Sequence, residues 1–260
     1  MKIFKLAKTV GEFFPKGVRR LDYESGVDGF QDWGLMLPGR KSQLWIVMIH
    51  GHGSTGDQLY TRRDIRENWL PAFLESGAGI LTVNLRGNSW MGPAAAEDMH
   101  ALVGFLRDEY GMQQSIFCSG SMGATSNLIY GVLYPEDVNG IIALCPASDL
   151  ASYDQWCRQQ DKPILQEIAA AIEKSYGGTP EEVPEIYRKH SALLNADRLV
   201  MPVFIAHGNA DAIIPVEHSR VLADKMKHNN NFSYREIPGG GHDLPLDTMN
   251  NSFSKILQII

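Results

Sequence analysis

Disulfide frameworks, basic patches and long apolar runs are all missing from this sequence. Cysteine occurs only at Cys118, Cys145 and Cys157, an odd number without metal-ligand spacing, so free or buried thiols are expected rather than disulfides or a zinc site. Lys and Arg number 24 against 30 Asp and Glu, giving a formal net charge of -6, and the cations are scattered, which excludes the basic footprint of a nucleic-acid partner. Lysines interrupt the apolar residues between Met1 and Val10, so the start reads neither as a signal peptide nor as a membrane span of about 20 residues. No membrane partner and a cytoplasmic location are therefore expected. The absence of internal repeats excludes a solenoid or propeller.

What is present suits one large core. At 260 residues and 44% hydrophobic content, the chain 1–260 is expected to be a single domain. Short apolar runs at Leu44–Ile49, Ile80–Leu85, Ser115–Cys118, Gly140–Leu144 and Val203–Ala206 lack polar alternation, as strands buried on both faces do. Between the second and third lies a helical pattern, with Met99, Leu102, Val103 and Leu106 on one face after Pro93 and Gly111 as its stop. Strand and helix in alternation predict an α/β fold with a doubly wound, mostly parallel sheet whose functional groups gather at the carboxyl ends of the strands. Phe30–Trp33 and Leu35–Leu37 are candidates for one or two antiparallel edge strands before it.

Residues 147–200 break the rhythm. Pro163 opens a helix carrying Ile164, Ile168, Ile172 and Tyr176, Gly177-Gly178 ends it, and Thr179-Pro-Glu-Glu182 reads as a capping box for another. A small helical cap insertion is expected there. Its Tyr153, Trp156, Tyr176 and Tyr187, with Trp90 from an earlier loop, are candidates to line a substrate pocket.

The chemistry begins at Ser119-Gly-Ser-Met-Gly123, where a strand signal runs directly into a helical one. A serine on such a sharp turn projects its hydroxyl above the sheet, and crowding demands tiny residues two before and two after it. Gly123 satisfies this, and Ser119 departs from the usual glycine. Ser121 would also stand at a helix N-terminus, which favours developing negative charge. A serine hydroxyl needs a base and an oxyanion hole. His242, on the loop Pro238-Gly-Gly-Gly-His242 after the strand-like Phe232–Ile237, is the candidate base. Asp211, in the turn after Phe204-Ile-Ala-His207, is the candidate acid, with Asp243 and Asp247 as competitors and Asp243 too close in sequence to align with the ring. The backbone N–H groups of His52, in His50-Gly-His-Gly53, and of Met122 are the candidate oxyanion donors; the side chains of His50 and His52 read as structural hydrogen-bonders.

Taken together, His50-Gly-His-Gly53, Asn84-Leu-Arg-Gly87, Ser119-Gly-Ser-Met-Gly123, His207-Gly-Asn-Ala-Asp211 with Pro215, and Gly241-His242 give a sequence that resembles the α/β-hydrolase superfamily over about residues 43–258. Within it, the chain is similar to prolyl oligopeptidase-type catalytic domains and related small serine esterases. The order Ser121, Asp211, His242 is the order of a triad on that fold. Only some forty residues precede the first central strand, where the peptidase branch often carries a large propeller, so the resemblance points to a carboxylic ester hydrolase working through an acyl-enzyme. The alternatives are a serine peptidase or aminopeptidase, and a hydrolase-shaped binding protein without catalysis. A small ester or short peptide is the expected substrate, with no cofactor and no metal.

Overall fold

The computed structural model describes residues 1–8 and 11–260, so Thr9 and Val10 of the lysine-interrupted N-terminal stretch lie outside the described residues. The strands are β1 (Lys2–Lys8), β2 (Arg19–Glu24), β3 (Gln31–Leu37), β4 (Lys41–Ile49), β5 (Ala78–Val83), β6 (Gln114–Gly120), β7 (Gly140–Leu144), β8 (Val203–Gly208) and β9 (Phe232–Ile237). They form one sheet in the order β1-β2-β3-β5-β4-β6-β7-β8-β9. The strands from β4 to β9 pair in parallel, and β1, β2 and β3 are antiparallel.

Helices cover both faces: α1 (Gln58–Thr61), α2 (Arg63–Asn68), α3 (Leu70–Ser76), α4 (Pro93–Tyr110), α5 (Met122–Leu133), α6 (Leu150–Arg158), α7 (Pro163–Tyr176), α8 (Pro184–His190), α9 (Glu217–Met226) and α10 (Met249–Ile256). The period of two along β4 sorts its side chains between two cores. Trp45, Val47 and Ile49 join the cluster under α4, α5, α9 and the α6–α8 insertion, and Ile46 and Met48 join the cluster under α1–α3 and α10. Each buried aliphatic of this kind contributes about 1.5–3 kcal/mol, which is why an uninterrupted apolar run is tolerated only with both faces covered.

Three expectations need correction. Gln31–Trp33 and Leu35–Leu37 belong to the single strand β3, with Phe30 just before it, and β3 is not an edge, because β2 and then β1 continue the sheet beyond it. The run Ile80–Leu85 stops as a strand at Val83, since Leu85 and Arg86 adopt left-handed backbone with φ of 43° and 63°. The Thr179–Glu182 box does form, with Thr179 N–H donating to Glu182 Oε2 (2.9 Å) and Glu182 N–H to Thr179 Oγ1 (3.3 Å), but it closes a turn, and α8 begins only at Pro184.

The insertion α6–α8 sits between β7 and β8 and docks onto the loop after β5. Tyr176 donates to the carbonyl of Trp90 (3.1 Å), Ser175 to that of Ser89 (2.5 Å), and the His190 ring to that of Met91 (3.0 Å). Trp90 and Met91 have φ of 45° and 55°, so their carbonyls face the cap because the loop is held in left-handed backbone. Among the described residues, no helix is long and apolar enough to cross a membrane.

Candidate active site

Ser121 stands between the end of β6 and the start of α5 with φ 58° and ψ −127°, a conformation that lifts its side chain out of the sheet. Its N–H donates to Leu144 O on β7 (2.8 Å). Gly123 is forced, because a Cβ there would lie 2.0 Å from the carbonyl oxygen of Ile49. Ser119 is fully buried, and its hydroxyl accepts the Ile49 N–H at 3.0 Å. The registered pairing of β4 with β6 ends at Val47 and Phe117, so this side chain supplies the link where the two strands diverge. A glycine could not supply it. The departure at position 119 thus ties the strand of the serine to the strand leading into His50–Gly53.

Asp211 lies in the turn after β8. Its Oδ1 accepts the N–H groups of Ile213 (2.8 Å) and Ile214 (3.0 Å), which fixes the carboxylate plane. Its Oδ2 accepts from His242 Nδ1 at 2.7 Å and lies 3.2 Å from His207 Nε2. With Nδ1 donating, Nε2 of His242 is the acceptor, and it lies 2.9 Å from Ser121 Oγ. The structure therefore brings the three distant side chains into one hydrogen-bonded line. Asp243 turns instead to Arg62 (3.1 Å), and Asp247 is exposed at the surface.

Burial pushes the Asp211 carboxyl upward, but the hydrogen bonds from His207 and His242 outweigh it and hold it below the ordinary carboxylate range. His242 shows the converse balance. Burial disfavours its cation, while the adjacent Cys145 sulfur and the Asp211 carboxylate favour it more strongly, so its pKa lies above the ordinary imidazole value.

The loop after β4 is clamped on both sides of residue 52. Gly51 N–H donates to Gln58 Oε1 (3.0 Å), and Gly53 N–H to Asn88 Oδ1 (2.8 Å). The His52 N–H between them, like the Met122 N–H at the start of α5, has no acceptor among the described residues. The His52 ring is held too: Trp90 Nε1–H donates to its Nδ1 (3.2 Å), which leaves the proton on Nε2, 3.4 Å from Glu167 of α7. Burial lowers its pKa, in keeping with a neutral ring. His50 is buried with its ring nitrogens 2.8 and 3.0 Å from the carbonyls of Gly51 and Asn84.

A cavity of about 110 Å³ opens at Ser121, bordered by His52, Arg62, Cys145, His242 and Leu246. Trp90, Tyr153, Trp156, Tyr176 and Tyr187 do not line it. Trp90 and Tyr153 are fully buried with centroids 5.6 Å apart, Tyr153 donates to Ile213 O (3.0 Å), and Trp156 stacks on Tyr153 at 6.1 Å. These aromatics join cap to sheet because their rings find more apolar contact there than at the cavity. Of the residues that border the cavity, the sequence singled out Ser121, His242, His52 and Asp243. Arg62, Cys145 and Leu246 carry no local motif, and only their long-range placement brings them to Ser121.

This architecture is that of an α/β-hydrolase. More narrowly, the family model BD-FAE matches residues 35–226, and the chain belongs to that family. Over 96 residues it is 27% identical to the uncharacterized peptidase YtmA of Bacillus subtilis, a match covering 34% of this chain and 37% of that protein. It thus spans well under half of that relative. The esterase Pf2001 of Pyrococcus furiosus superposes with a TM-score of 0.71 at 15% identity, covering 97% of both chains. A puromycin-hydrolyzing peptidase of Mycobacterium tuberculosis does so with a TM-score of 0.71 at 18% identity, covering 95% of this chain and 40% of that one. At these identities the structural likeness carries the fold alone.

Proposed function

We propose that the protein is a serine hydrolase that cleaves carboxylic esters of small acyl groups through an acyl-enzyme. The observation that carries this reading is the line from Asp211 through His242 to Ser121, with separations of 2.7 and 2.9 Å. His242 Nε2 takes the Ser121 proton as Oγ attacks the ester carbonyl, and Asp211 holds the tautomer and stabilises the imidazolium. The His52 and Met122 N–H groups receive the oxyanion, since neither is committed to another acceptor. His242 then protonates the leaving alcohol, and water repeats the sequence to release the acid. A cavity of about 110 Å³ has room for about four groups the size of a water molecule, which favours a short acyl chain. No step calls for a cofactor. Three buried, unpaired thiols suit a reducing compartment and support a cytoplasmic location.

The test is a series of p-nitrophenyl esters of increasing acyl length, run beside a panel of chromogenic amides. Turnover highest for the shortest esters is the expected result. Faster amide cleavage would move the protein to the peptidase reading that the likeness to YtmA supports. Lack of turnover on both panels, together with no labelling of Ser121 by a fluorophosphonate, would leave the non-catalytic reading.

A further inference from the structure

One neighbour of the triad has no part in that chemistry. Cys145 is the first residue after β7, where its N–H donates to Ala206 O of β8 at 2.8 Å. Its φ is 49°, left-handed backbone that an L side chain seldom adopts and that aims the thiol at the loop of the histidine. The Sγ–H donates to the His242 carbonyl at 3.2 Å, and the residue borders the cavity at Ser121. The Cys145 sulfur, a carboxylate oxygen of Asp211 and a ring nitrogen of His242 all lie within 4.8 Å of one another.

We infer that Cys145, Asp211 and His242 form a zinc site that switches the hydrolase off. Thiolate, imidazole and carboxylate are the donor types zinc takes, and three protein ligands leave its fourth position to water. Tetrahedral zinc places such donors about 3.3–3.8 Å apart, so side-chain shifts of about 1 Å close the site. The charges also match: thiolate and carboxylate together cancel the divalent cation, which lowers the cost of holding it in so buried a place. Magnesium and calcium call for oxygen donors and do not fit.

The inhibition follows from the tautomer. The nitrogen of His242 that faces Asp211 is Nδ1, and its proton occupies the place the metal takes. Zinc on Nδ1 moves that proton to Nε2 and sends the thiol proton to solvent. An Nε2 that carries a proton cannot accept the one on Ser121 Oγ. This consequence rests on the serine-hydrolase reading, whereas the metal site itself does not.

The experiment titrates zinc chloride into the full-length protein in metal-free buffer during ester hydrolysis, with magnesium chloride as the control and EDTA added afterwards. Zinc inhibits, magnesium does not, and EDTA restores the rate. In Cys145→Ala, the zinc concentration for half-inhibition, measured against that variant's own uninhibited rate, rises by about tenfold or more. Cys145→Ser retains a donor for the His242 carbonyl but is a poor zinc ligand, and it must behave in the same way. Cobalt supplies a readout independent of turnover: the wild type develops a thiolate-to-cobalt charge-transfer band that both variants lack. If no ester is hydrolysed, the ester reading fails while the cobalt band still decides the site. Wild-type zinc sensitivity in both variants, or the absence of the band from the wild type, overturns the inference.

Discussion

Two turns face each other across Ser121, and they are built in opposite ways. The turn from β6 into α5 is held by its own segment and the strands beside it: Ser121 bonds to Leu144, Ser119 to Ile49, and Gly123 makes room for the Ile49 carbonyl. The loop His50–Gly53 depends on borrowed side chains, with Gln58 holding Gly51, Asn88 holding Gly53 and Trp90 holding the His52 ring. The first is held mainly by the backbone of the strands packed beside it, the second by side chains that reach in from other segments. Damage to the first should abolish the reaction, and damage to the second should tune it.

Changes at the hydrogen-bonded line come first. Ser121→Ala should lower kcat by about 10⁴-fold or more with the circular dichroism spectrum unchanged, and retained activity would reassign the nucleophile. Asp211→Asn should cost about 10⁴-fold in kcat by freeing the wrong tautomer of His242, while Asp243→Asn, whose carboxylate is exposed beside Arg62, should cost no more than about a few-fold. Steady-state kinetics of the pair checks the choice of acid, and the reverse ranking would overturn it.

The borrowed supports come next. Trp90→Phe keeps a buried ring but removes the hydrogen bond to His52 Nδ1, so the proposed oxyanion donor is displaced rather than lost. We expect about a tenfold fall in kcat with KM nearly unchanged, below the 10²–10³-fold known for deleting a donor outright. An unchanged kcat would remove the contrast between the turns.

The smallest effect is on pH dependence. The proposed mechanism needs neutral His242, whose pKa is lowered by burial but raised more strongly by Cys145 and Asp211. Activity is therefore lost as pH falls through that raised value, and the acid limb of kcat/KM should lie above 6.5, the ordinary imidazole value. Residual activity of Asp211→Asn should show the limb shifted downward. A wild-type limb below 6.5 would contradict the balance of charges around the ring.

The contrast between the turns also explains what could be read in advance. β6, α5 and the small residues around Ser121 were legible because the strand, the sharp turn and the helix follow one another within a few positions of sequence, although what crowds Gly123 is the Ile49 carbonyl of a neighbouring strand. β1 and β2 were missed because lysines, arginines and acids interleave their apolar residues, although the alternation of Leu21 and Tyr23 with Arg20 and Asp22 is the pattern of a half-covered strand. Trp90, Tyr153 and Trp156 were misplaced because whether an aromatic faces a cavity or a core depends on how the cap docks, and that rests on bonds such as Tyr176 to the Trp90 carbonyl, 86 residues apart.

The sequence alone determined the alternation of strand and helix, the position of the cap, and the chemistry available at Ser121, Asp211 and His242, because periodicity and turn chemistry act over a few residues. Tertiary structure alone decided that Ser119 bridges two strands, that Asn88 and Trp90 support the His52 loop, and that Cys145 lies beside His242. Those contacts join residues between 35 and 97 positions apart, and only the packing of the folded sheet and its helices brings such partners to one place.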